Sequence, residues 1–272
     1  MVREDVSTIM RKIRIFSGTI LFAYVIMHLL NHSINIFSID LADTVRSSYF
    51  HPIWQNPVGL VLLYGSFIAH MILGFSSILT RKSFQMKTKD WIQIVFPVLA
   101  LLFLLQHIAA SFAITKIFGG KETYALFFAV MNTDPLSEII IGAILFSLMT
   151  IFIWVHGVIG IDAYLKQQAI HHNKFVFYLR YLSLFRFVFW VVPIGAVLGW
   201  LSGLRNMSFI AQIQSFELDM PIPNYLGSII FKFVPQEAFP VLLQIEPIVM
   251  KYYPIFVLFV ILVCIINVVR AR

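Results

Sequence analysis

The chain has 272 residues, of which 60% are hydrophobic and 12% charged, with a formal net charge of +7. A water-soluble domain carries near a quarter charged residues, so this composition excludes an ordinary aqueous core and makes lipid the solvent. The basic residues stand in short clusters between apolar runs, a topology signal and not a nucleic-acid surface; the single cysteine, Cys264, excludes an intrachain disulfide or a thiolate metal cluster and is expected to pack between helices.

Six apolar segments, 14–38, 56–81, 90–117, 136–165, 175–203 and 248–270, reach the roughly 20 residues needed to cross a hydrocarbon core of about 30 Å. The expectation is an all-α bundle of six transmembrane helices forming one domain over 1–272. The first segment is expected to stay in the mature chain, since its run is too long for a signal peptide and contains His28, Asn31 and His32. Asp40 to Pro57, Arg81 to Asp90, Lys116 to Pro135 and Lys166 to Lys174 read as short loops. Residues 206–247 hold Pro221, Pro223, Pro235, Pro240 and Pro247 among apolar residues and read as an outer cap or interfacial segment. Arg3, Arg11, Lys12 and Arg14, then Arg81, Lys82, Lys87 and Lys89, then Lys166 and Lys174, and finally Arg270 and Arg272 fall on one side, which predicts cytoplasmic N- and C-termini.

An ionisable group in lipid is costly and is retained where the interior of the bundle uses it. Four successive segments each carry one histidine near mid-membrane: His28, His70, His107 and His156. Neutral imidazole is a common axial ligand of haem iron. From a rise of 1.5 Å per residue, His70 and His156 lie roughly 16 and 14 Å from the cytoplasmic face, and His28 and His107 roughly 21 and 25 Å. Two bis-histidine layers are therefore expected, holding two haems b.

Gly65, Gly74, Gly157 and Gly160 near these histidines remove side chains where a macrocycle would approach a backbone, although small residues serve helix contacts equally. Arg186, roughly 16 Å deep by helix rise, is a candidate partner for a haem propionate, against an equal reading as a snorkelling arginine. His32, one turn beyond His28 on the same face, is an alternative outer ligand. Asn31 reads as a packing hydrogen bond, and His51, His171 and His172 as solvated loop residues. Acidic residues are nearly absent from the segment interiors, so no carboxylate proton relay is visible. Pro97 and Pro193 can kink helices without making a broken-helix ion site, and no H-E-x-x-H or P-loop occurs.

The order of the four histidines, with R-I-F-S-G at 14–18 leading into H-L-L-N-H at 28–32, resembles the dihaem cytochrome b subunits of succinate dehydrogenases and fumarate reductases. That resemblance covers the first five segments; it implies ligand pairs from helices one and three and from helices two and four, and favours His28 over His32. The stretches L-L-Y-G-S-F-I-A-H at 62–70, D-W-I-Q at 90–93 and W-V-H-G-V-I-G at 154–160 look like the six-helix cytochrome b-like membrane anchors of bacterial class III adenylate cyclases.

The second resemblance implies a bacterial inner-membrane, dihaem anchor. Such an anchor would respond to redox state, quinone or another ligand, act as a homodimer, and regulate a C-terminal cyclase domain or another cytoplasmic effector. The alternative is a quinone-linked electron-transfer subunit. The chain departs from the cyclase family in carrying no cyclase segment, with its nucleotide- and metal-binding residues, so the catalytic activity of this chain is left open. Both a domain of a longer protein and a free-standing anchor accord with it.

Overall fold

The computed structural model describes the backbone of residues 6–133, 135–171, 175–218 and 220–270, and the side chains there except at 7, 138, 168–187 and 216. The chain is 88% helical, with no strand among the described residues. Among the described residues, ten α-helices follow one another: α1 (Val6–Ile34), α2 (Ile39–Val45), α3 (His51–Trp54), α4 (Pro57–Leu79), α5 (Thr88–Phe112), α6 (Tyr124–Met131), α7 (Leu136–His171), α8 (Phe175–Glu217), α9 (Ile222–Phe233) and α10 (Phe239–Arg270). Among the described residues, six stretches are long and apolar enough to cross a membrane: Thr8–Ile34, Pro57–Leu79, Thr88–Ile117, Ile139–Gln167, Val188–Ser215 and Gln236–Arg270.

The first span begins well before residue 14, because Val6–Ile13 contains neither Gly nor Pro and its Arg11 and Lys12 can hold their heads in water while the helix continues. The fifth runs past 203 for the same reason: nothing from Leu204 to Glu217 interrupts α8. The sixth starts at Phe239 and not at 248, since Pro240 occupies the first turn, where its missing N–H costs nothing, and Pro247 and Pro254 are carried inside the helix. Residues 206–247 are thus not one separate cap. They comprise the end of α8, the short helix α9 and the start of α10; α9 buries Leu226 against α6 and α8.

Two stretches expected as loops contain buried helix. Ser38 accepts a hydrogen bond from the Leu41 N–H to start α2, which buries Ile39 and Ala42. Thr123 caps α6 in the same way through the Leu126 N–H at 2.9 Å, and the helix that follows buries Tyr124, Leu126, Phe128 and Ala129. Phe128 is fully buried and lies so near Gly203 of α8 that a Cβ there would overlap its ring. Trp200 completes this cluster, stacked on Phe146 with ring centres 5.4 Å apart.

The site is framed by α1, α4, α5 and α7. Helix α1 packs on α4 and α7, and α5 on α7, while α8 backs α1 and α7. Helix α10 lies against both α4 and α5. There the Tyr253 hydroxyl donates to the Val98 carbonyl, Asn267 Nδ2 to the Leu79 carbonyl, and Phe256 meets Phe75 edge-on at 4.9 Å. Cys264 is buried, 3.7 Å from the Ile78 carbonyl, and so packs between helices as its sequence context implies.

Candidate dihaem site

A cavity of about 720 Å³ lies inside α1, α4, α5 and α7. It reaches from Arg11, Arg14 and Arg81 at one end to Arg46, His51 and Glu122 at the other, and His28, His70, His107 and His156 all line it. Small-molecule sites of about 300–1,000 Å³ are of this order.

The histidines stand in two pairs. The rings of His28 and His107 have centres 6.1 Å apart, and those of His70 and His156 6.0 Å apart. These are the partners assigned by depth along the helices. An iron held by two imidazoles at about 2 Å per Fe–N bond, each ring centre lying about 1.1 Å behind its nitrogen, requires ring centres about 6 Å apart. The spacing of both pairs fits that requirement.

Orientation of the His70–His156 pair, the inner one if the termini are cytoplasmic as expected, is fixed by main-chain carbonyls. His70 Nδ1 lies 3.1 Å from the Arg14 carbonyl on α1, with the Ser17 hydroxyl at 3.4 Å. His156 Nδ1 lies 3.0 Å from the Gln93 carbonyl on α5. A carbonyl only accepts, so each Nδ1 carries the proton and donates, and each Nε2 is left with a free lone pair. Metal-binding imidazoles are held in this way, the second nitrogen donating to a carbonyl so that tautomer and ring direction are set. The His28–His107 pair, the outer one on the same expectation, is arranged differently. His28 Nε2 lies 3.2 Å from His32 Nε2, so taking a metal through that nitrogen means releasing His32. His28, stacked on Tyr24 at 5.5 Å, is the imidazole that faces His107. His32 turns its ring edge toward Tyr124 at 5.0 Å, and its Nδ1 is buried without a hydrogen-bond partner.

The glycines divide into distinct roles. Gly74 lines the cavity with no atom within 4 Å of where its Cβ would stand, leaving room that a flat ligand can fill. Gly157 also lines it, but its missing Cβ admits the Phe22 ring, and Gly160 sits against the Gln93 amide. Gly65 lies away from the cavity lining, in open space. Gly18, in the 14–18 motif, gives His70 its clearance: a Cβ there would stand 2.8 Å from Cε1.

For the carboxylates of a haem, the cavity offers Arg11, Arg14 and Arg81 at one end and Arg46 at the other. Arg186 lies on α8, but its side chain is outside the described residues, as are those of His171 and His172. Sequence reasoning passed over Arg46 because it falls in an apparent loop. Its guanidinium donates to the Glu122 carbonyl, lies 3.5 Å from the Asp43 carboxylate and 3.3 Å from His51 Nε2, and sits 6.0 Å from the Tyr124 ring centre. His51 is accordingly a half-buried cavity residue and not a solvated one. Burial first, then Arg46, pushes its pKa below the usual histidine value. Asp43 is pushed up by burial, against the opposing pull of the Tyr124 N–H bonded to it at 2.8 Å and of Arg46. Asn31 makes the packing hydrogen bond expected of it, Nδ2 donating to the Tyr124 hydroxyl at 2.9 Å in a buried setting.

Comparison of the chain with protein-family models, curated proteins and solved structures gives no match in any of the three.

Proposed function

We propose that this chain is the membrane domain of a dihaem b-type cytochrome, with His28 and His107 as axial ligands of one haem b and His70 and His156 of the other. The observation that carries the reading is the inner pair. Its ring centres stand 6.0 Å apart across a cavity, and both Nδ1 atoms are committed to carbonyls so that both Nε2 atoms are free. When bound, two haems supply one-electron redox chemistry at two depths. Arg14 and Arg81 at one end, and Arg46 at the other, would neutralise carboxylates, and the apolar lining would exclude water.

In cellular terms the protein acts as a redox-, quinone- or ligand-responsive anchor of a C-terminal class III adenylate cyclase domain or another cytoplasmic effector. It sits in a bacterial inner membrane, among lipid, with both termini cytoplasmic and as a homodimer. Support comes from the motifs at 62–70, 90–93 and 154–160 and from the seat of α10, which touches both the helix carrying His70 and the helix carrying His107. A change in how α4 and α5 pack is therefore felt by the helix that leads toward the C-terminus; regulation requires the two packings to differ in affinity for the signal. The stacking of two histidine pairs along one cavity also favours a second reading, a quinone-linked electron-transfer subunit of the succinate dehydrogenase and fumarate reductase type.

The deciding experiment is a reduced-minus-oxidised absorbance spectrum of detergent-purified protein with a haem-to-protein ratio, for wild type and for His28→Ala, His70→Ala, His107→Ala and His156→Ala. Two b-haems are expected, with His28 and His107 variants losing one and His70 and His156 variants the other. A colourless protein from haem-replete cells overturns both readings. Co-purifying flavin and iron–sulfur subunits would favour electron transfer, whereas a cyclase rate in the full-length protein that follows reduction or quinone would favour the anchor.

A further inference from the structure

Pro97 lies inside α5, four residues after Gln93. In an α-helix the N–H of residue 97 would bond to the carbonyl of residue 93, but proline has no N–H to give. The Gln93 carbonyl, within a candidate membrane span where a free acceptor is costly, instead accepts from His156 Nδ1 at 3.0 Å. The same vacancy recurs in α8. Pro193 leaves the Phe189 carbonyl without its helical donor, and the Trp154 indole N–H donates to it at 2.9 Å. Two helix-interior prolines thus free two carbonyls, and both are taken by side chains of a single stretch of α7, Trp154 and His156.

We infer that Pro97 is a positioning residue of the inner haem site: by withholding the helical partner of the Gln93 carbonyl, it reserves that carbonyl for His156 and holds the imidazole with Nε2 free to bind iron. The inference rests on the dihaem reading. Any other residue at 97 brings an N–H that competes for the carbonyl, so the His156 tautomer and ring direction lose their constraint. Because an imidazole whose Nδ1–H is bonded to a carbonyl is the more basic ligand, loosening that bond weakens the stabilisation of the ferric state.

Pro97→Ala tests this in the purified protein, with Pro97→Gly as a second N–H-bearing variant should the first fail to fold and Pro247→Ala in α10 as a control proline. The expected result is an inner-haem midpoint potential moved upward and inner-haem affinity lowered by about tenfold, the lower end of the loss typical of a disrupted metal-ligand support. The outer haem and the control should be unchanged. In the haem-free protein, nitrogen-15 NMR of labelled histidine should show His156 protonated at Nδ1 in wild type and a mixture of tautomers in the variants. Variants that match wild type in inner-haem potential, affinity and tautomer overturn the inference. A wild type that never holds haem defeats the dihaem reading instead, and the tautomer measurement still decides the role of Pro97.

Discussion

Gly18 of α1 and His70 of α4 approach so closely that a Cβ at position 18 would stand 2.8 Å from the imidazole Cε1 and 3.2 Å from Nδ1. A neighbour at that distance must move, and here the neighbour is a ring held 3.1 Å from the Arg14 carbonyl. Gly18→Val is expected to push His70 off that carbonyl and reduce the haem-to-protein ratio from two to one. Absorbance with a pyridine haemochrome assay reads this directly. A variant that keeps two haems would show that the ring has room to give.

The two outer imidazoles on α1 separate cleanly by substitution. His28 faces His107 at 6.1 Å, whereas His32 faces Tyr124. His32→Ala should therefore retain both haems, with at most a shifted outer potential, and His28→Ala should lose the outer one. The opposite result would make His32 the ligand.

Tyr124→Phe tests the polar contact that ties α6 to α1. The hydroxyl accepts from buried Asn31, whose Oδ1 already has no partner, so removal leaves the side chain wholly unsatisfied. A cost of about 1–3 kcal/mol is expected, read as a lower Tm of the detergent-solubilised protein. Asn31→Leu with Tyr124→Phe should recover part of that loss, since two apolar partners leave nothing unpaired.

The pH response at the far end of the cavity follows from His51. Burial and Arg46 hold its folded pKa below 6.5, so the folded chain binds its proton less readily than the unfolded chain. Its stabilising contribution is complete above the unfolded value and is lost as pH falls from there toward the folded one. Tm should drop as pH is lowered from about 7 toward 5, and His51→Gln should flatten that drop. Asp43, with a raised pKa, acts in the other sense at lower pH: the folded chain gains relative stability on protonation, which fades as pH rises through the folded value. An unchanged slope in His51→Gln would place the titrating group elsewhere.

Much of the architecture was legible because lipid imposes a simple rule: an apolar run of sufficient length must satisfy its own backbone, and only a helix does so. That rule identifies six spans and rejects a soluble fold. It fails at proline and at amphipathic ends. Pro240 and Pro247 set the expected start of the sixth span at 248, yet α10 begins at Phe239 with Pro240 in its first turn and runs through Pro247, and Arg11 and Lys12 do not stop α1. It also misses α6, whose eight residues are too few to span but enough to bury Phe128 between α8 and its neighbours.

The histidine pairs lie midway between what sequence and structure decide. By itself the sequence determined the class of solvent, the number of spans and which span carries each histidine, because length and hydropathy are properties of one helix at a time. Which carbonyl meets which Nδ1, that Gly18 clears His70, that Gln93 is freed for His156, and that Arg46 and His51 enter the cavity were decided only by tertiary structure. Each depends on the rotation and approach of two or more helices, and local periodicity carries no record of a partner on another helix.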